Sequence, residues 1–204
     1  MARSLSLNPH SMRAEATPIL LPENAGNVLL ALARTAIARE FGKTRLAVEE
    51  VLWLREQGAC FITLTYEQKL RGCVGTLRAH RPLAEDVTAN AVAAAFHDPR
   101  FKPLTADEFD MVAVEISVLS ELAPMTFADE RDALAQLRTG IDGLVFQYGH
   151  HSSTFLPQVW ENLREPAEFM AHLKYKAGLP PDFWHHEVKL SRYIVAKWRE
   201  TGNE

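Results

Sequence analysis

The sequence predicts an α+β fold in which an antiparallel sheet is flanked by helices. Three observations carry that prediction. Residues 59–66, Ala-Cys-Phe-Ile-Thr-Leu-Thr-Tyr, are rich in β-branched and aromatic side chains, and residues 70–77 follow after only three polar residues, the layout of a hairpin. Residues 111–119 alternate, with Val112, Val114, Ile116 and Val118 on one side and Ala113, Glu115 and Ser117 on the other. Segments of helical period are mixed among these strands with hairpin-length links, which favours antiparallel pairing over a doubly wound parallel sheet.

The remaining elements follow in chain order. Residues 1–21 mix Ser, Asn and Pro and are expected to form a flexible tail. Val28, Leu29, Leu32, Ala33, Ala36 and Ile37 have helical spacing that stops at Gly42, and residues 48–54 are expected to form a short helix closed by Gly58. After the hairpin, Pro82 suits the first turn of a helix running to about His97, before Pro99. Residues 129–138 read as helical, and Gly140-Ile141-Asp142-Gly143 is turn chemistry ahead of a strand over 144–148. The stretch His150-His151-Ser152-Ser153 is expected to turn that strand back into Thr154-Phe155-Leu156. Pro166 opens a helix through Phe169, Met170, Leu173 and Lys176 that Gly178 terminates, and residues 186–198 alternate enough to read as one final strand.

Composition excludes several classes. The 204 residues are 47% hydrophobic and 24% charged, with Lys+Arg 22 against Asp+Glu 26 and a formal charge of −4, the profile of a globular chain. The mildly acidic balance, without a basic stripe, fits a nucleic-acid binder poorly. No apolar run approaches the roughly 18–20 residues needed to cross a bilayer. The N-terminus lacks an apolar signal core, and the chain has two cysteines, so a cytoplasmic location with two free thiols is expected. Phosphate-cradling glycine loops, a Gly-x-Ser-x-Gly elbow and an iron–sulfur cysteine cluster are all missing from the sequence. His150-His151 and His185-His186 lack metal-ligand spacing, so neither a metal nor a cofactor is expected.

The stretch Leu70-Arg71-Gly72-Cys73-Val74-Gly75-Thr76-Leu77 carries the most chemistry. In a regular strand Arg71, Cys73 and Gly75 share a face, with the Arg71 and Cys73 Cα atoms about 6.6–6.8 Å apart. A cation beside a cysteine favours the reactive thiolate, and glycines in a strand mark close approach of a ligand or another backbone. The functional reading is a shallow pocket in which Arg71 holds an anion beside Cys73; the alternative is a packing thiol in a strand with a glycine bulge. Cys60 shares its predicted face with Ile62 and Leu64 and reads as an inert core thiol. In the segment 96–104, Asp98 and Arg100 either border the same pocket or pair to fix a proline turn. Glu115 and Ser117 either line a cleft or meet water, Gln158 points into a cleft or starts a helix, and Lys176 suits a helix C-terminus.

Five blocks in order resemble the AMMECR-one domain family: Leu-Arg-Gly-Cys-Val-Gly-Thr, Ala-Ala-Phe-x-Asp-Pro-Arg-Phe-x-Pro-Leu, Glu-Ile-Ser-Val-Leu-Ser, Thr-Phe-Leu-Pro-Gln-Val-Trp and Lys-Ala-Gly. Bacterial and archaeal members are called AmmeMemoRadiSam system protein A. The resemblance spans residues 22–198 and implies a single domain over 22–204 with a larger lobe built on an antiparallel sheet and a smaller packed lobe. It also implies signature positions at Arg71, Gly72, Cys73, Gly75, Asp98, Arg100, Glu115, Ser117, Gln158 and Lys176; His150-His151 lie outside that pattern. The system name pairs the domain with Memo-type and radical S-adenosylmethionine proteins, which are the partners it implies. The expected function is an enzyme or enzyme subunit whose inter-lobe cleft binds a small anionic ligand. Arg71 and Arg100 would hold that anion, with Gly72, Gly75, Ser117, Gln158 and Lys176 lining the site. Cys73 would act as nucleophile or close contact, and Asp98 or Glu115 would orient Arg71 or move a proton. The alternative is a non-catalytic adaptor that binds a protein partner.

Overall fold

A computed structural model describes residues 19–43 and 51–200 of the chain. The expected tail up to residue 18, and residues 48–50 of the expected short helix, lie outside the described residues. The described chain is a mixture of helices and antiparallel sheets, as the sequence predicts, and it divides into two compact units.

The first unit comprises residues 19–121 and 195–200. Helix α1 (Ala25–Glu40) carries its apolar row at Leu29, Ala33, Ala36 and Ile37 into the core and ends before Gly42, whose φ of +68° is available to glycine at no steric cost. The described end of the expected short helix is a 3-10 turn over Leu52–Arg55. A two-stranded ribbon joins β1 (Gln57–Gly58) to β4 (Arg81–Pro82). Strands β2 (Cys60–Tyr66) and β3 (Lys69–Gly75) form the expected hairpin, closed by Glu67 and Gln68 at φ 47° and 61°. Two left-handed residues suit a tight hairpin because their twist matches that of the strands. Helix α2 (Leu83–Phe96) follows directly on Pro82, and a short α3 (Ala106–Phe109), not expected from periodicity, is held by a capping box between Thr105 and Glu108. Strand β5 (Ala113–Leu119) completes this region.

The sheet order in this unit is β10-β5-β2-β3, with β10 (Val195–Arg199) at one edge and β3 at the other. Helices α1 and α2 pack on the face that carries Cys60, Ile62, Leu64, Val114, Ile116 and Val118. Asp86, fully buried on α2, accepts from the Cys60 N–H, the Thr76 hydroxyl, the Asn90 amide and Arg81, so the end of the Leu70–Leu77 motif is fixed by structure. Arg34 of α1 donates to both carboxylate oxygens of Glu200 and to the carbonyls of Phe109 and Val112, tying the end of β10 to the core.

The second unit is Leu122–Ile194. It contains β6 (Ala123–Pro124), α4 (Glu130–Ala135), β7 (Gly143–Tyr148), β8 (His151–Phe155), a 3-10 turn over Pro157–Glu161, α5 (Pro166–Lys176) and β9 (Lys189–Tyr193). The sheet order is β6-β9-β7-β8, all antiparallel. Its core stacks Trp160 on Phe169 at 3.8 Å between ring centroids and adds Phe146, Met170 and Leu173. Two sequence expectations need correction here. The turn after β7 is Gly149-His150, so the return strand already begins at His151. The expected final strand over 186–198 is two strands: β9 pairs with β7 in this unit, whereas β10 pairs with β5 in the other. None of the described helices is long and apolar enough to cross a membrane.

Candidate functional site

Cys73 and Gly75 of the motif lie on the edge strand of the first sheet, on the face turned away from α1 and α2, whereas Gly72 and Val74 face the helices. Cα pairing places Cys73, Thr63, Glu115 and Arg199 in one row across β3, β2, β5 and β10, with Gly75, Phe61, Ser117 and Lys197 in the next. Cys73 is half-buried, and the Thr63 hydroxyl donates toward its Sγ at 3.4 Å. Glu115 stands two strands from Cys73, roughly 10 Å at ordinary strand spacing. Glu115 is ion-paired with Lys197 at 3.1 Å, and both it and Ser117 are buried.

Asp98 and Arg100 grip the backbone of Cys73. The Cys73 N–H donates to Asp98 Oδ2 at 2.8 Å, and Arg100 Nη2 donates to the Cys73 carbonyl at 3.2 Å. Arg100 also forks onto Asp98, Nε to Oδ1 at 2.9 Å and Nη2 to Oδ2 at 2.7 Å. The pair thus occupies the hydrogen-bonding edge that β3 would otherwise leave open. Asp98 is buried, and its carboxyl is held far below the usual carboxylate range, first by the Arg100 hydrogen bonds and, against the cost of burial, by the Cys73 and Arg100 backbone N–H groups. It is therefore a fixed anion rather than a proton carrier near neutrality. Arg100 is reciprocally pushed up by Asp98, and its side chain remains 53% exposed beside the Cys73 thiol.

Arg71 takes a different course from the one expected. Leu64 pairs with Gly72 and Thr65 with Leu70, which leaves Arg71 as the extra residue of a β-bulge. Regular alternation is interrupted there, and Leu70 joins the Thr65 side of the sheet. The Arg71 guanidinium forks onto Glu108 at 2.9 Å and 2.9 Å and donates to the carbonyls of Lys102 and Pro103. Both arginines thus fork onto a carboxylate of the same unit, but the Arg71 side chain is 13% exposed whereas that of Arg100 is 53% exposed. Asp98 orients Arg100, not Arg71. Glu108 is depressed to about 2, mainly by Arg71 and then by Thr105.

The glycines answer to packing. A Cβ on Gly72 would lie 2.1 Å from the Ala94 carbonyl oxygen of α2, and one on Gly75 would lie 2.2 Å from the Phe61 ring. The close neighbours on which the sequence reading left a choice are thus a helix backbone and an aromatic ring. Cys60 is fully buried, and burial raises its thiol far above the ordinary value.

Gln158 and Lys176 belong to the second unit. Lys176 Nζ donates to the Thr154 carbonyl at 3.0 Å and lies 5.0 Å over the Phe155 ring. Gln158 sits in the 3-10 turn with its Oε1 buried and lacking a hydrogen-bond partner among the described residues. Among those residues no three His, Cys, Asp or Glu side chains converge as metal ligands. Sequence reading missed Thr63 and Glu108. The spacing Thr105-Ala106-Asp107-Glu108 is a capping-box signature and was the available signal for the second.

Several known proteins are similar to this chain in sequence over most of their length. Protein MJ0810 of Methanocaldococcus jannaschii is 38% identical over 89% of this chain and 92% of its own. A protein of Aeropyrum pernix is 38% identical over 93% of this chain and 86% of its own. The crystal structure of the uncharacterized protein PH0010 from Pyrococcus horikoshii is similar with a TM-score of 0.79 at 30% identity, covering 87% of this chain and 92% of that one. The AMMECR1 family model matches residues 30–198, which include every signature position named above, and the chain therefore belongs to the AMMECR1 family.

Proposed function

We propose that this AMMECR1-family protein is a thiol-dependent enzyme or enzyme subunit that takes a small anionic ligand, a carboxylate or a phosphate, at Cys73. The observation that carries this reading is the half-exposed Arg100 guanidinium, fixed by buried Asp98 and anchored to the backbone of the residue that bears the thiol. A cation held in place loses little freedom when an anion arrives, and the exposed guanidinium edge that Asp98 does not occupy can meet a carboxylate or phosphate oxygen. Cys73 supplies the nucleophilic atom, and the Thr63 O–H supports negative charge on Sγ. Arg71 and Glu108 build the wall of the site. Glu115 and Ser117 stand on the same sheet face. The two unpaired cysteines fit action in the cytoplasm, with Memo-type and radical S-adenosylmethionine proteins as partners within the same system.

A second reading, an adaptor that binds a protein partner, is favoured by one observation: Arg71, Gly72, Asp98 and Thr76 all have internal structural partners. The two readings separate in a protection experiment. Phosphate, citrate and a panel of short carboxylates are titrated against alkylation of Cys73, with wild type compared to Arg100→Gln. The enzyme reading expects at least one anion to slow labelling in wild type and not in Arg100→Gln. Equal labelling under every anion refutes it and leaves the adaptor.

A further inference from the structure

The contacts around Arg71 extend the site by one residue. Glu108 is the N3 residue of the α3 capping box: its Oε2 accepts from the Thr105 N–H at 2.9 Å and the Thr105 hydroxyl at 3.1 Å. The same carboxylate receives the Arg71 fork through both oxygens. Arg71 then spans outward to the carbonyls of Lys102 and Pro103, two and three residues beyond Arg100. The Phe101 ring approaches both arginines, with its centroid 6.0 Å from the Arg71 guanidinium carbon and 5.5 Å from that of Arg100. A continuous set of contacts therefore runs from Glu108 through Arg71 and the 98–103 loop to Arg100 and Cys73. The bulge matters to it, because it sends Arg71 sideways to the loop.

We infer that Glu108 is a positioning residue of the Cys73–Arg100 site, acting through Arg71 and the loop that carries Arg100. The inference rests on the reading of Arg100 as the anion-holding group. A carboxylate that fixes a guanidinium, which in turn fixes two loop carbonyls, limits how far Arg100 can swing from the thiol. Without the charged fork at Glu108, Arg71 loses its tether and the loop loses two hydrogen bonds, so the cation spends less time beside Sγ.

The test compares alkylation of Cys73 by iodoacetate, an anion, with alkylation by iodoacetamide, its neutral counterpart. The ratio is normalised to that of a free thiol, and the labelled peptide is identified by mass spectrometry. A cation close to the sulfur is expected to raise the normalised ratio by about five-fold in wild type. Arg100→Gln, which leaves the Asp98 carboxylate beside the thiol, brings it to the free-thiol value or below. Glu108→Gln, which keeps a residue suited to the capping box, removes at least half of the enhancement, and Arg71→Gln does the same. In an Arg100→Gln background, Glu108→Gln changes nothing further. A purely structural carboxylate would lower the melting temperature while leaving the ratio at its wild-type value, and that result overturns the inference. If Arg100→Gln leaves the ratio unchanged, or if Cys73 stays unlabelled in the folded protein, the anion-holding reading itself fails and takes this inference with it. Cys60 reports folding in every variant, because its buried thiol is labelled only when the first unit opens.

Discussion

Adding a single methyl group at Gly72 measures what that glycine does. The new Cβ would sit 2.1 Å from the carbonyl oxygen of Ala94 and 3.1 Å from its carbon, where ordinary contact begins at 3.4 Å. The separation must therefore open by 3.4 − 2.1 = 1.3 Å. The obstacle is helix backbone, so it cannot rotate aside as a side chain can, and α2 is packed against α1 on the same sheet face. Overpacking of this kind costs ~1–3 kcal/mol, and here the upper end applies because a whole helix must move. Restricting the unfolded chain returns ~0.4–1 kcal/mol, which leaves a net loss of roughly 2 kcal/mol. For a chain of this size, that lowers the melting temperature by roughly 4–8 °C. Thermal melting and urea unfolding read the loss directly. Gly149→Ala is the comparison: its φ is +55° and nothing lies within 4 Å, so only the left-handed backbone is penalised. If Gly72→Ala melts within about 1 °C of wild type, the reasoning that this glycine exists for the approach of α2 is refuted.

Two further outcomes are expected. Glu108 has its folded value depressed from 4.5 to about 2, so its ionisation adds stability that is fully present above pH 4.5 and lost as pH falls toward 2. Acid unfolding of Glu108→Gln should lack that part of the pH dependence; an unchanged acid limb below pH 4.5 would contradict the Arg71 pairing. In the second unit, Lys174 is 2% exposed and its ammonium meets Glu130 at 2.8 Å. Glu130→Gln strands a buried cation and should cost about 3 kcal/mol, the low end because Glu130 is itself 31% exposed, whereas Lys174→Met should be close to neutral; urea denaturation giving equal losses for the two would show that the pair is not what holds α4 to α5.

Local regularities were legible without coordinates. The alternation at residues 112–118 dictates a strand with Val114 and Ile116 inward and Glu115 and Ser117 on the other face, and the structure follows it. Helical spacing with terminal Gly42 and Gly178 placed α1 and the end of α5, because a residue at positive φ ends a helix wherever the chain goes next. For Asp98 and Arg100 the motifs left a choice between bordering a Cys73 pocket and pairing in a proline turn; in the structure they pair with each other and bond the Cys73 backbone, whereas the family followed from the order of five motifs.

What the tertiary structure decided is which charge faces which. Arg71 and Glu108 are 37 residues apart in sequence, and no local rule selects that pair over Arg71 with Asp98. The selection comes from the bulge, which turns Arg71 out of the strand's regular alternation toward the 102–108 segment, while the open edge of β3 at Cys73 needs both an acceptor and a donor and finds them in Asp98 and Arg100. The same holds for the C-terminal strand. Residues 189–193 and 195–199 form one alternating run in sequence, but alternation records only which residues share a face. It carries no information on which neighbour supplies the hydrogen bonds, and here β7 supplies them to the first half and β5 to the second.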